Sequence, residues 1–343
     1  MKELTLKVPS GYCRILVGEK VANLSKYCAG AKTVIITDTQ IARLHSKNYP
    51  EAQVIAIAPG EKAKTFKIVE RIYRDLLSFE LDRTAFIVGI GGGVVCDVAG
   101  FVAATYLRGL RLGLVPTTLL AQTDAAIGGK NGVNLYSYKN LIGTIRQPQF
   151  CLIDFDFLKT LPEGELANGF SEVIKHAAIG NGALLSFLEN NRSALLAGDA
   201  AALEKAVSDS IAVKIKVVES DEREEGARMV LNFGHTLGHA IEKTAKIAHG
   251  QAVSIGMSAA IRISIAKGML KESDGNRIIS ILDNFGLPTS TGFNKRQVMD
   301  AIRKDKKRRG DEINMVLLAG IGKPAIQKTS FGEIESALTM LGG

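Results

Sequence analysis

The chain is short of several things, and each shortage removes a class of protein. Its 343 residues include four cysteines, Cys13, Cys28, Cys96 and Cys151. They stand far apart, so neither a zinc ribbon nor a CxxC redox motif is available, and they are expected to be reduced packing residues. Aromatics make up 6% of the chain, too few to interleave with basic clusters as nucleic-acid surfaces usually do. The formal charge of +8 permits an anionic ligand, but a generally basic surface accounts for it as well. The N-terminus, MKELTLKVPS, alternates apolar and charged residues and has no apolar signal core. The most apolar late stretch, Ala252–Ala266, carries Arg262 and falls short of a membrane span. Low-complexity tracts and internal repeats are missing. We expect a soluble, cytoplasmic protein that binds neither membrane nor nucleic acid.

Histidine is also scarce, with five in all, yet His235, His239 and His249 fall inside Leu231–Gly250, LNFGHTLGHAIEKTAKIAHG. On a helix, residues four apart share a face, so His235 and His239 have metal-pair spacing. An unbroken helix would carry His249 about 21 Å further along its axis. The chain must therefore reverse after about Thr244 for His249 to join. The glutamate of an HExxH protease is missing, so any carboxylate must come from elsewhere. Packing or capping histidines would show the same spacing.

The pattern changes near residue 158. Before it, Leu4–Val8, Arg14–Val17, Thr33–Thr37, Gln53–Ala58, Ala85–Gly89, Leu112–Val115 and Cys151–Phe155 read as strands, and Lys64–Ser78 and Val94–Tyr106 as helices. Such alternation predicts a largely parallel sheet wrapped by helices. Beyond it, helical periodicity runs through Gly164–Ile179, Ala183–Leu188, Ala200–Ser220, His235–Lys243, Ala252–Leu270, Asn276–Asn284 and Lys295–Lys304, with a hairpin at Ile313–Leu318 and Ala325–Lys328. The expectation is an α/β nucleotide-binding domain at 1–158 followed by a mostly α-helical domain at 159–343, with a cleft between them as the site.

In Ala85–Tyr106 a buried strand enters Gly89-Ile90-Gly91-Gly92-Gly93 and a helix leaves it, setting free N–H groups and the helix's positive end beside a ligand. A pyrophosphate suits this loop. The usual dinucleotide fingerprint fails because Val94 stands at its third glycine position, and a tight turn without ligand reads alike. Asp97 either stabilises the helix dipole or meets a cofactor hydroxyl. Asp38, directly after a strand, is a ribose candidate or a helix cap. Downstream, Pro116–Asn140 gathers Thr117, Thr118, Asp124, Lys130, Lys139 and Asn140. Its Gly128-Gly129-Lys130 is no P-loop, since Asn131 replaces Ser/Thr, but glycines beside a lysine suit a phosphate; a mobile surface loop is the alternative. Next, Glu172, Lys175 and His176 share neighbouring helix faces, either as a surface ion pair worth about 0.2–0.5 kcal/mol or with Glu172 as the missing metal ligand. The run Lys304–Arg309, KDKKRR, reads as a solvated loop.

Taken together, GGGVVCD at Gly91–Asp97, PTTLLAQTDAAIGGKNGVN from Pro116, SEVIKH from Ser171, RMVLNFGHTLGHAIE from Arg228 and HGQAVSIGM from His249 resemble the 3-dehydroquinate synthase family. The likeness runs in order from about Asp38 to Asp305–Lys307. The resemblance implies Glu172, His235 and His249 as ligands of a divalent metal, zinc or cobalt. For NAD it implies Asp38, Glu61, Lys64, Gly92, Gly93, Asp97, Thr117, Thr118, Lys139 and Thr160. For substrate it implies Asp124, Lys130, Asn140, Lys175, Lys214, Arg228, Asn232, His239, Lys306 and Lys307, with Arg108 reaching the phosphate pocket of a second copy in a homodimer. His239, Lys130, Lys175, Arg228 and Asn232 are the implied catalytic groups. Asn168, Ser171, His176 and Gln251 depart from the family's usual pattern, which puts local hydrogen bonding in doubt.

The activity so implied converts 3-deoxy-D-arabino-heptulosonate 7-phosphate to 3-dehydroquinate and phosphate, in the shikimate pathway to aromatic amino acids. NAD is reduced and regenerated within one turnover, around phosphate elimination and an aldol closure. Lys130, Asn140 and His239 would hold the phosphate, Lys175 and Arg228 would orient the other polar groups, and His239 could relay protons. Three alternatives stay open: a metal-dependent polyol dehydrogenase, a sugar-phosphate cyclase of other specificity, and a basic nucleic-acid-binding protein.

Overall fold

The computed structural model describes residues 1–28, 30–136, 138–290, 292–303, 308–309 and 311–342. Lys306 and Lys307, expected at the substrate, lie outside the described residues. The chain forms two compact units, Met1–Leu161 and Pro162–Gly343; the expected border at 158 falls in a 3-10 stretch, Phe155–Thr160.

Strands of the first unit are β1 (Lys2–Val8), β2 (Gly11–Val17), β3 (Thr33–Asp38), β4 (Gln53–Ile57), β5 (Phe86–Gly91), β6 (Arg111–Pro116), β7 (Lys130–Leu135), β8 (Tyr138–Ile145) and β9 (Phe150–Ile153). Its helices are α1 (Thr39–His45), α2 (Phe66–Ser78) and α3 (Gly93–Thr105). Seven strands make one sheet in the order β1-β2-β9-β6-β5-β3-β4. The β1–β2 pair is antiparallel, whereas β2–β9, β9–β6, β6–β5, β5–β3 and β3–β4 are parallel. The parallel sheet expected from the sequence is therefore present. Every residue of β5 is buried, which is why FIVGIG runs almost without polar alternation. After β3 the chain goes to one side for β4 and returns to the other for β5, so the strand order reverses between β3 and β5. Ligands of such sheets bind beyond the carboxyl ends at this switch point.

Two features of this unit differ from expectation. The segment expected to be a phosphate loop or mobile loop is a β7–β8 antiparallel ribbon. Gly128 and Gly129 take φ of 99° and 72° to turn into β7, a backbone that side-chain-bearing residues rarely adopt. A Cβ at Gly100 of α3 would stand 1.7 Å from Asn131 Oδ1, so glycine there lets the ribbon seat on the helix. The second difference is α1, a helix not expected from the sequence, although its Gln40 and Ile41 amides are capped by Asp38 in line with the cap alternative given for that residue.

The second unit holds α4 (Glu163–Gly180), α5 (Gly182–Asn190), α6 (Arg192–Leu196), α7 (Ala200–Ser220), α8 (His235–Ala245), α9 (His249–Ala266), α10 (Glu272–Asn284), α11 (Lys295–Arg303) and α12 (Phe331–Met340). Strands β10 (Arg308–Arg309), β11 (Glu312–Leu318) and β12 (Pro324–Ser330) form an antiparallel sheet in that order. The mostly helical second half is thus as expected. Helix α9 is buried nearly all round and touches α4, α8, α10, α12 and β11, which makes it the core of this unit. It begins three residues earlier and ends four residues sooner than its apolar pattern suggests. The Gln251 side chain accepts the Ala248 amide at the start, and Gly268, at φ +67°, closes the end.

Candidate functional site

In the first unit, the parallel strands bring several expected cofactor residues to one edge of the sheet. Asp38 ends β3, Gly92 caps α3 after β5, Thr117 and Thr118 follow β6, and Thr160 follows β9. Gly92 offers no capping side chain to α3, so the N–H groups of that first turn face whatever approaches. A Cβ on Gly92 would stand 3.3 Å from Thr118 Cγ2, and one on Gly93 3.3 Å from Ala125 Cβ. The glycines therefore keep the loop open for close approach. Gly91 and Gly89 serve packing: their added Cβ atoms would meet Val95 at 2.6 Å and Ala99 at 2.8 Å on α3. Thr117 Oγ1 is buried and has no hydrogen-bond partner. A buried hydroxyl of that kind costs free energy until something meets it. These features fit a nucleotide at this edge.

A second cluster forms between the Glu61–Lys64 segment and the ribbon. Buried Lys64 pairs with Asp97 and donates to Asn140 Oδ1. Asn134 donates to Glu61 Oε1 at 2.7 Å and accepts the Asn140 amide at 2.9 Å. Asn140, expected among substrate groups, thus sits with the residues expected at NAD. Lys139 is exposed on β8 and Lys130 is exposed at the start of β7. Asp124 lies in a single π-helical turn, Ala121–Ala125, a geometry common at functional sites. Arg108 is exposed, and Leu107 and Arg108 both hold positive φ, 49° and 65°, a strain that a loop keeps only when its surroundings impose it. His45, not singled out in the sequence, is buried and lies 2.8 Å from Thr160 Oγ1. Its distance of 115 residues from Thr160 left no local signal.

In the second unit, α4, α8 and α9 bring Glu172, His235 and His249 together, their ligand atoms all within 4.8 Å of one another. Glu172 is wholly buried. Its Oε1 makes no hydrogen bond and stands 3.6 Å from His235 Nε2 and 3.9 Å from His249 Nε2. Those gaps are too long for hydrogen bonds. They approach the roughly 3.3–3.6 Å that separates two donors each about 2.0–2.2 Å from a tetrahedral zinc. His235 Nδ1 faces the Phe233 carbonyl at 3.2 Å, which turns Nε2 toward Glu172. The donor set and the orphaned carboxylate oxygen fit a divalent metal. Burial opposes charge on His249, but the Glu242 hydrogen bond and the Glu172 and Glu242 carboxylates outweigh it and raise its pKa.

Glycines make this gathering possible. A Cβ on Gly256 of α9 would lie 2.0 Å from the Gly234 carbonyl oxygen, and one on Gly238 of α8 3.1 Å from Val253 Cα. The two helices therefore cross at backbone contact, and the reversal after α8 places the ring of His249 5.3 Å from that of His235. His239, the i,i+4 partner, is exposed, with its ring 5.3 Å from His235 and 5.8 Å from His249.

Other expected groups surround α4. Lys175 pairs with Glu172 inside the unit. Lys214 and Arg228 are buried, and Arg228 Nη1 donates to the Glu222 carbonyl at 2.6 Å. Asn232 donates to Glu224 Oε1 at 2.7 Å. The loop bearing Arg228 is tied by Asp221, whose carboxylate accepts the Arg228, Glu225 and Gly226 amides and is pulled down to a pKa of about 2 by them. The residues that depart from the family pattern are all bonded. Asn168 Oδ1 accepts the Gly250 amide, Ser171 donates to the Asn168 carbonyl at 2.7 Å, and His176 Nδ1 lies 2.8 Å from Ser210 Oγ. Asn168 thereby satisfies an amide beside His249.

Residues 54–168 match the family model described as 3-dehydroquinate synthase N-terminal, and residues 169–308 the one described as 3-dehydroquinate synthase C-terminal. A 3-dehydroquinate synthase of Desulforamulus reducens is 41% identical over 318 residues, 89% of this chain and 89% of that protein. Among solved structures, 2-epi-5-epi-valiolone synthase from Streptomyces hygroscopicus subsp. jinggangensis 5008, with NAD+ and Zn2+ bound, is 26% identical with a TM-score of 0.88, covering 95% of this chain and 96% of that one. A 2-deoxy-scyllo-inosose synthase complexed with carbaglucose-6-phosphate, NAD+ and Co2+ is also 26% identical with a TM-score of 0.88, covering 98% and 99%. Both halves of the fold match, and the identity to a curated relative holds over most of both chains: this chain belongs to the 3-dehydroquinate synthase family.

Proposed function

We infer that the chain converts 3-deoxy-D-arabino-heptulosonate 7-phosphate to 3-dehydroquinate and phosphate, with NAD and a divalent metal, zinc or cobalt. It is an enzyme of the shikimate pathway. The observation that carries this reading is the buried Glu172 carboxylate facing Nε2 of His235 and His249, in a chain 41% identical to a 3-dehydroquinate synthase.

The first unit is the NAD-binding domain. Its α3 amides with Gly92 and Gly93 take the pyrophosphate, Asp38 takes the ribose, and Thr117, Thr118, Glu61, Lys64, Asp97, Lys139 and Thr160 complete the binding set. Asp124, Lys130 and Asn140 are its contribution to the substrate. The second unit is the metal- and substrate-binding domain. Glu172, His235 and His249 hold the metal, while Lys175, Lys214, Arg228, Asn232 and His239 serve the substrate, with Lys306 and Lys307 beyond the described residues. When bound, the metal lends positive charge that acidifies coordinated hydroxyls, and NAD accepts a hydride and returns it. Lys175 and Arg228 orient the substrate's polar groups, and an imidazole nitrogen of His239 carries protons.

We further propose a cytoplasmic homodimer. Among the described residues no helix is long and apolar enough to cross a membrane. The ribbon exposes Tyr136, Tyr138, Leu141 and Ile145, and Leu107 beside Arg108 is exposed as well. Apolar groups on an edge strand suit a second copy, and mass measurement in solution tests it.

Purified protein should release phosphate from the heptulosonate phosphate when supplied with NAD and Zn2+ or Co2+, and should be inert toward glucose 6-phosphate. No release from the former refutes the reading; preference for the latter indicates a cyclase of other specificity. Net accumulation of NADH with a polyol indicates a dehydrogenase instead.

A further inference from the structure

We propose that Glu242 is a positioning residue of the metal centre, holding His249 in the tautomer that aims Nε2 at the ion without binding the ion itself. The inference rests on the reading of Glu172, His235 and His249 as ligands. Glu242 lies on α8, and its Oε2 stands 3.0 Å from His249 Nδ1, across the chain reversal. Nε2 of the same ring faces Glu172 Oε1. When Nδ1 carries a proton that a carboxylate accepts, Nε2 keeps its lone pair for a metal. His235 is set in the same sense by a different acceptor, the Phe233 carbonyl. One ligand is thus oriented by backbone and the other by a charged side chain. Glu242 is 18% exposed, so water screens the contact only in part.

The same residues contain a rival arrangement. His239, Glu242 and His249 also offer ligand atoms within 4.8 Å of one another. An ion there would need Nδ1 of His249 and would make Glu242 a ligand. Burial decides between the two sets. Glu172 is fully buried with Oε1 lacking a hydrogen bond, whereas His239 is exposed. Glu172 already meets the Lys175 ammonium through Oε2, yet its buried Oε1 still has no donor, a cost that a cation bound on that side relieves. The ion therefore takes the Glu172 set, and Glu242 is left holding Nδ1.

The test strips metal from the full chain and measures Zn2+ affinity by competition with a chromophoric chelator, together with the visible absorption of the Co2+ form. Glu242→Ala should weaken zinc binding about 10–100-fold, the range typical of lost partners behind a ligand. Glu242→Gln, whose amide oxygen still accepts the Nδ1 proton, should recover most of that loss and keep the Co2+ band positions. His235→Ala should lose far more, and His239→Ala should bind zinc like the parent. If His235→Ala loses zinc while both Glu242 variants bind it normally, the positioning role is wrong and the ligand reading stands. Shifted Co2+ bands in Glu242→Gln, with affinity as poor as Glu242→Ala, would make Glu242 a ligand and overturn the proposal. Retained zinc in His235→Ala with loss in His239→Ala would overturn the ligand reading itself.

Discussion

Replacing Gly256 by alanine should force two helices apart and loosen a metal site that the new methyl group never touches. The added Cβ would lie 2.0 Å from the Gly234 carbonyl oxygen, 2.8 Å from the Gly238 nitrogen and 3.0 Å from the Gly234 carbonyl carbon. These are backbone atoms, so no side chain can swing away. Carbon and oxygen in close contact stand about 3.3–3.6 Å apart, which requires α8 to retreat from α9 by roughly 1 Å. Such overpacking costs about 1–3 kcal/mol. His235 follows Gly234 on α8 and His249 opens α9, so the displacement enters the spacing of two proposed ligands. Metal sites tolerate errors of about 0.2 Å. At about 2–4 °C per kcal/mol for a unit of this size, the metal-free variant should melt roughly 2–12 °C below the parent. Zinc affinity should fall as well, at least about tenfold by comparison with lost supporting contacts. Gly164→Ala is the control, because a Cβ there meets nothing within 4 Å. It should be neutral or stabilise α4 by up to about 1 kcal/mol. Thermal unfolding followed by circular dichroism, with and without chelator, and zinc competition read both effects. A Gly256→Ala protein that melts and binds zinc like the parent would refute the close crossing.

Lys175→Met removes the cation paired with wholly buried Glu172. It should destabilise the metal-free protein by about 3–5 kcal/mol, with most of the loss restored by saturating Zn2+; equal losses in chelator and in zinc would count against a metal at Glu172. Asp221, whose pKa is held at about 2 by backbone amides, stabilises the Arg228 loop fully above its unfolded pKa near 3.8. That contribution disappears as pH falls through about 2, so the parent's urea midpoint should exceed that of Asp221→Asn at pH 5 and converge with it at pH 2. A gap unchanged by pH would mean that the charge is not what ties the loop.

The sheet and the helical second half were legible because each element carries its own period. Val34–Ile36 of β3 and Phe86–Gly91 are short runs without polar side chains, buried on both faces, and α7, Ala200–Ser220, has the same bounds that its pattern suggests. The β7–β8 ribbon was not legible, since β8 is mostly exposed and its apolar and polar residues follow no burial pattern of their own. Helix α1 was hinted at only by the cap alternative at Asp38, which was read first as a ribose candidate, because seven residues are too few to display a period. Glu242 was missed despite sitting inside the histidine stretch. Its partner His249 is seven residues away on another helix, and no local spacing announces that pair.

The sequence alone determined that three of five histidines crowd one segment, that glycines sit between a buried strand and a helix, and which family these motifs belong to. Motifs and periods are properties of neighbouring residues, so the chain displays them unfolded. Which donors gather was decided only by tertiary structure. Spacing pairs His235 with His239, whereas the fold also brings His249 to His235 and carries Glu172 in from α4. That meeting depends on α8 and α9 touching backbone to backbone at Gly234, Gly238 and Gly256, and on burial leaving a Glu172 oxygen without a hydrogen bond. Close packing between distant segments, rather than any local repeat, selects the set.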